Sequence, residues 1–210
     1  MDWNGFTEQD FDIFSVEGFA NRMPLLRQEI KPKLTALGEI LLEPLAGVVS
    51  QTLYPHVAQH LRRTVNAPEE TWVAFAKEKR AYKPFVHLRV AISGNGVRVT
   101  VFVEDYAEEK EAFAQHLKKN ATALSRLFAE YPEIRAYDMP DAKGNPKQGK
   151  ALTAKALREF ATRMSAVKSQ HAVFGILLPV NEVLTLSPVA LQEWVLASAN
   201  TLLPLYKVTP

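Results

Sequence analysis

The chain has no cysteine among its 210 residues. Disulfides, thiolate metal sites and cysteine nucleophiles are therefore excluded, and the composition suits a reducing compartment. Long apolar runs are missing as well. The longest, Ala172 to Val180, is less than half of the roughly 20 residues that span a bilayer. The opening Met1-Asp2-Trp3-Asn4-Gly5-Phe6 lacks the basic and apolar segments of a secretory leader. A soluble, cytoplasmic protein with no membrane partner is the expectation. Charge of one sign is also missing, since the formal net charge is only +2. Bulk electrostatics therefore do not announce a nucleic-acid partner. The chain has no Gly-x-Gly-x-x-Gly, no Walker loop, no Gly-x-Ser-x-Gly and no Cys-x-x-Cys. No cofactor is expected.

What is present reads as one globular domain, 47% hydrophobic and 23% charged. Residues 1–17 carry Asp2, Glu8, Asp10, Asp12 and Glu17 and no base, and Thr7-x-x-Asp10 predicts a short capped helix in this acidic arm. Leu34, Leu37, Leu41, Leu45 and Val48 recur at helical spacing, with Pro44 expected to kink that helix or start another. Trp72–Ala76 has strand composition. The alternating runs 85–93 and 97–103 flank Gly94-Asn95-Gly96 and predict a β-hairpin. In its second run Val97, Val99, Val101 and Val103 face one way, and Arg98, Thr100 and Phe102 the other. Phe113, Leu117, Leu124 and Phe128 stripe a helix that Tyr131-Pro132 ends, and a short strand follows at 134–137. Residues 141–150 read as an exposed loop. Thr153 caps a further helix, 172–178 reads as a buried central strand, and Ser187-Pro188 opens a last helix. The fold class is α+β: a single domain with a mixed or mostly antiparallel sheet, a central hairpin (85–103) and several flanking helices.

Chemistry concentrates in the middle third. Between Tyr54 and Arg89 lie His56, His60 and His87, together with Arg62, Arg63, Lys77, Lys79, Arg80, Lys83 and Arg89. Only Glu69, Glu70 and Glu78 oppose those cations. Guanidinium forks match phosphate and carboxylate, and the interleaved Trp72, Phe75 and Tyr82 offer stacking surfaces. A second basic run, Lys143 to Lys168, is opposed by Glu159 alone. The alternative for both runs is a solvated face whose long side chains lie along the surface. His56-x-x-x-His60 would place two imidazoles on one face of a helix, but no acid follows His56 and no third ligand stands nearby, so no metal is expected. The plainer alternative is a pair of histidines hydrogen-bonded at a sheet edge. His87 alternates with Phe85 and Arg89 on one side of its strand.

Several blocks resemble a known family: Phe6-Thr-x-x-Asp-Phe-Asp-x-Phe14, Ile30-Lys-Pro-Lys-Leu-x-Ala-Leu-Gly38, Pro55-His-Val-Ala-x-His60, Arg62-Arg63, and Trp72-Val-Ala-Phe-Ala-x-x-Lys-Arg-x-Tyr-Lys83. Together they are similar to the YktB-like proteins of Gram-positive bacteria, catalogued as domain of unknown function 1054. The resemblance implies a small soluble bacterial α+β protein and brings no reaction, cofactor or catalytic residue with it. Lys77-Glu78 departs from the Asn-Asn frequent in that family, which argues against an essential role there.

Three functional expectations follow. The first is a binding module for an anionic ligand (a phosphorylated small molecule, a nucleotide or RNA) in a basic-aromatic cleft using Arg62, Arg63, Arg80, Tyr82, Lys83 and His87. The second is an enzyme with His56 or His60 as acid–base group, acting on a phosphorylated or carboxylated substrate. The third is a surface for the acidic face of a protein partner.

Overall fold

The computed structural model describes residues 3–61 and 63–207. A single seven-stranded antiparallel sheet organises it, in the order β1-β2-β3-β4-β7-β5-β6. The strands are β1 (Tyr54–Val57), β2 (Glu70–Ala76), β3 (His87–Ser93), β4 (Gly96–Val103), β5 (Arg135–Pro140), β6 (Pro146–Gln148) and β7 (Ala172–Pro179). The principal helices are α1 (Glu8–Asp12), α2 (Phe19–Leu25), α3 (Lys31–Val49), α4 (Lys110–Glu130), α5 (Ala154–Ala166), α6 (Val180–Val183) and α7 (Pro188–Tyr206).

Alternation in the central strands divides the molecule. Val73 and Phe75 of β2, Leu88, Val90 and Ile92 of β3, the four valines of β4, and Phe174, Ile176 and Leu178 of β7 pair across the ladder in one row. All are buried. The helices cover this face. Gly38 of α3 sits so close to β2 that a Cβ there would meet Val73 at 3.0 Å. Phe113 and Phe128 of α4 and Phe160 of α5 surround the Phe174 ring. The other face carries Trp72, His87, Arg89, Arg98, Thr100, Phe102, Gly175 and Arg135, again in mutual register.

The hairpin β3–β4 turns where its sequence predicts. Gly96 has φ +132°, and a Cβ there would overlap the Leu178 carbonyl oxygen at 2.0 Å, so only glycine fits. Thr153 and Ser187 cap α5 and α7 by accepting from the backbone N–H groups of Ala156 and Ala190. Three stretches differ from or go beyond the sequence reading. Of the two alternatives at Pro44, a second helix is not the one found: α3 runs unbroken from Lys31 to Val49 with Pro44 inside it. Residues 141–150 include the edge strand β6, because Asp141 accepts from the N–H groups of Lys143 and Asn145 and folds the segment into a hairpin. Tyr54–Val57, where the sequence predicts no element, is the edge strand β1. The acidic arm docks rather than dangles: Trp3, Phe6, Phe11, Ile13 and Phe14 are buried, Trp3 Nε1–H donates to the Pro188 carbonyl, and Lys33 pairs with buried Asp10.

Candidate functional site

Two clusters occupy the face of the sheet opposite the helices. The first is closed. Arg89 projects from β3 with Ala74 directly across on β2, so a small neighbour makes room for its guanidinium. That group lies 3.4 Å from the centre of the Phe102 ring, 4.5 Å from Trp72 and 5.6 Å from Tyr82. Its Nη2 donates to Glu104 at 2.6 Å and its Nε to His87 Nε2 at 2.8 Å. His87 must therefore present a lone pair at Nε2, and its Nδ1–H donates to the Phe85 carbonyl at 2.8 Å. Both partners enforce one neutral tautomer. Burial, then the charge of Arg89, push the imidazole well below its ordinary pKa. Tyr82 packs edge-on against His87 and accepts a hydrogen bond from Trp72 Nε1. Burial raises its phenol pKa. Every member of this cluster is already engaged within the protein.

The second cluster is open. A groove of about 830 Å³ runs along the sheet where β2, β3, β4, β7 and β5 come together. Arg63, Arg98 and Arg135 line it, with Trp72, Tyr137, Glu69 and Glu70. Arg98 pairs with Glu70 and lies over the Tyr137 ring at 4.3 Å. The guanidinium of half-buried Arg135 has no hydrogen bond or ion pair with any described residue. Tyr137 Oη is buried and likewise lacks a partner among the described residues. Arg98 and Arg135 were missed as site residues because Arg98 stands alone among the apolar residues of β4 and Arg135 begins a short strand far from the basic runs. The signal was their alternation: Arg98 with Thr100 and Phe102, Arg135 with Tyr137.

Further along the same face His171 stacks flat on Phe102, with ring centres 6.1 Å apart, and its Nε2 meets Asp138 Oδ1 at 2.9 Å. The Asp138 hydrogen bond raises its pKa above the usual imidazole value, with Glu104 and Asp105 adding to the shift. Asp138 Oδ2 is buried without a partner among the described residues. The pairing register of β5 shifts between Ala136 and Pro140. With that irregularity, consecutive residues serve one face: Tyr137 reaches Arg98 and Asp138 reaches His171.

The residues singled out by sequence separate accordingly. His56 stands on a strand, not a helix, and its Nε2–H donates to the Glu78 carbonyl. His60 lies beyond the end of β1 with its Nε2 3.1 Å from Thr71 Oγ1. The two imidazoles therefore share no helical face, and the spacing loses its metal-ligand meaning; among the described residues no group of three or more His, Asp or Glu side chains could hold a metal ion. His56 and His87 both pack against Tyr82, and His60 packs against Trp72, so the three imidazoles gather about one aromatic pair. His87 is wholly enclosed, which removes it from any ligand-facing role. Arg63 lines the groove, while Arg80 is exposed on the β2–β3 connection without a partner among the described residues. Lys83, on the same connection, depresses the pKa of both His60 and His87. Arg62 lies outside the described residues. The part of the second basic run carried by α5 belongs to the helix that packs Phe160 against Phe174 on the helical side of the sheet, away from this groove.

Set beside known proteins, the chain matches the profile of a domain of unknown function (DUF1054) over residues 6–206. It belongs to this family. Relatives of this DUF1054 member include UPF0637 proteins from Bacillus licheniformis, Bacillus cytotoxicus and Macrococcus caseolyticus. The first is 32% identical over 204 residues, covering 97% of this chain and 95% of the relative. The second is 30% identical over 203 residues, covering 97% and 96%. The third is 34% identical over 170 residues, covering 81% and 82%. The match runs the length of the DUF1054 chain, so both sides of the sheet fall within the shared region. Among its described residues no helix is long and apolar enough to cross a membrane.

Proposed function

We propose that this DUF1054 protein binds a small anionic molecule carrying a planar ring, in the groove on the helix-free face of the sheet. The observation that carries the reading is Arg135, a half-buried guanidinium without a partner among the described residues, in a groove that also holds the unpartnered Tyr137 hydroxyl. A buried donor left unmatched is costly, which favours a ligand that satisfies it. The groove volume lies within the range of about 300–1,000 Å³ usual for small-molecule sites. Arg135 and Arg98 would receive the phosphate or carboxylate, and Trp72 and Tyr137 would flank the ring. Glu69 and Glu70 line the same groove and offset much of its positive charge. That balance favours a single anionic group over a polyanion and gives the carboxylates a part in accepting from ligand hydroxyl or amino groups.

The test uses adenosine monophosphate as probe, titrated by calorimetry. Saturable binding is expected, with Arg135→Ala weakening it about ten-fold or more, the scale of one charge-assisted contact. A shallow salt dependence should accompany it, since a mononucleotide has no condensed counterion atmosphere to release. Single-stranded RNA binding with a steep slope would replace this reading by a polyanion surface.

An enzymatic second reading rests on one observation, the Asp138–His171 pair. The carboxylate holds Nε2 of a half-exposed imidazole, and Nδ1 has no partner among the described residues. The acid–base candidate thereby moves from His56 and His60 to His171. Turnover of a phosphorylated probe by the wild type, lost in His171→Gln with binding retained, would favour it.

A further inference from the structure

A second cavity lies on the other side of the sheet and beside its β1–β2 edge. Its volume is about 210 Å³, and Met23, Leu26, Ala58 and Leu61 supply its apolar wall. Thr71 belongs to this side, because it pairs with Ile92 in the row that the helices cover. Two uncommon backbone conformations meet here. Residues Leu26–Ile30, between α2 and α3, form a π-helical turn, the widened geometry that recurs at functional sites. Pro32, early in α3, supplies a local cause, since its ring disfavours an ordinary helical turn at that point. Across the cavity His60 adopts φ +50°, a left-handed conformation unfavourable for a residue with a side chain. A strained residue of this kind persists only where the surroundings hold it, and such residues gather at binding sites.

The lining has a definite chemistry. Arg27 and Lys31 stand among the apolar residues, and no carboxylate lines the cavity. Arg27 has no partner among the described residues, while Lys31 Nζ donates to Gln59 Oε1. His60 offers a neutral imidazole: burial, followed by the charges of Arg63 and Lys83, lowers its pKa to about 4. Leu61 is 80% exposed at the rim, an apolar side chain with nothing to cover in the free protein. The volume is somewhat larger than the roughly 150 Å³ cavity that accepts benzene.

We infer that this cavity is a second ligand site, separate from the groove, for a compact apolar carboxylate of aryl or short acyl type. The apolar body would sit against Met23, Leu26, Ala58 and Leu61, and the carboxylate would lie toward Arg27 and Lys31. This site stands independently of the groove reading, since it shares no lining residue with the groove.

Benzoate titrated into the ¹⁵N-labelled full-length protein tests it, with sodium chloride at matched ionic strength as reference and benzyl alcohol as the neutral analogue. Saturable shifts are expected at the amides of Ala58, His60, Leu61 and Thr71. Benzyl alcohol should bind about ten-fold more weakly, the scale of one charge-assisted contact. Arg27→Gln should weaken benzoate by a similar factor, Ala58→Leu should fill the cavity and abolish the shifts, and the exposed Leu61→Gln should weaken binding without touching the fold. Arg135→Ala should leave benzoate affinity unchanged. Benzoate shifts no different from chloride, equal affinity for benzyl alcohol, unchanged affinity in Leu61→Gln, or loss in Arg135→Ala would each overturn the proposal. Should Ala58→Leu fail to fold, Leu61→Gln and Arg27→Gln still decide it.

Discussion

Arg89 and Arg135 stand on the same face of the same sheet and live in opposite circumstances. Arg89 is 3% exposed, sandwiched by aromatic rings, and bonded to Glu104 and His87. Arg135 is half-buried with no partner among the described residues. A buried charge must be paired and hydrogen-bonded to be tolerated, and Arg89 meets that demand wholly within the protein. It is an element of construction, fixing how the β2–β3 connection folds back through Tyr82. Arg135 leaves the same demand to be met from outside. The density of basic residues in the sequence is greatest around the first cluster, whereas the groove is assembled from residues far apart in the chain.

The comparison breaks most visibly at Arg89. Replacing it by Ala strands Glu104 and the His87 lone pair in a poorly solvated site, and losing one partner of a buried pair costs about 3–5 kcal/mol. Arg135→Ala removes a half-buried charge without a described partner, so stability should stay the same or rise slightly. Urea unfolding of the two variants checks this, and equal losses would erase the distinction.

Acid titration sharpens it next. His60 and His87 are both held neutral, with folded pKa values depressed below 6.5. Their contribution to stability is therefore present above pH 6.5 and is lost as pH falls toward the folded values. The unfolded chain binds the extra protons, so stability should rise with pH below 6.5, between about 4 and 6.5 at up to ~1.4 kcal/mol per pH unit for His60, with His87 acting in the same direction. His60→Asn, which keeps a side chain tolerant of the left-handed conformation, should remove one such increment from the measured slope.

The smallest effect belongs to His171, whose folded pKa is raised. Its contribution is complete below pH 6.5 and fades as pH climbs through the folded value, the reverse of His60 and His87. The imidazole is 46% exposed, so solvent screens the pair, and Asp138→Asn should cost well under about 1 kcal/mol at pH 6 and almost nothing at pH 9. A histidine NMR titration of wild type and Asp138→Asn gives the direct reading, with the His171 midpoint moving down in the variant.

Much of the fold was legible without coordinates. The valine alternation of β4 announced a buried face, Gly94-Asn95-Gly96 announced the hairpin, and Thr153 and Ser187 announced helix starts, because capping, turn and pleat preferences act within a few residues. His56-x-x-x-His60 allowed two readings, and the sheet-edge one holds: β1 pairs with β2, both imidazoles are hydrogen-bonded there, and the helical spacing carries no meaning. The groove was only half visible. Arg98 was placed on the outward side of its strand, yet nothing local brings β5 beside β7, or Tyr137 beneath Arg98.

The sequence by itself determined most of the secondary elements (the edge strands β1 and β6 apart), the apolar side of the sheet and the excess of cations over acids in the middle third, since each depends on periodicity or composition over short stretches. Only the tertiary structure decided that Arg89 is enclosed, that the Arg135 side chain lacks a partner among the described residues, and that Asp138 meets His171. Such partnerships depend on strand order and on one register shift. Long-range pairing is settled by burying the whole core at once, which no short stretch of chain encodes.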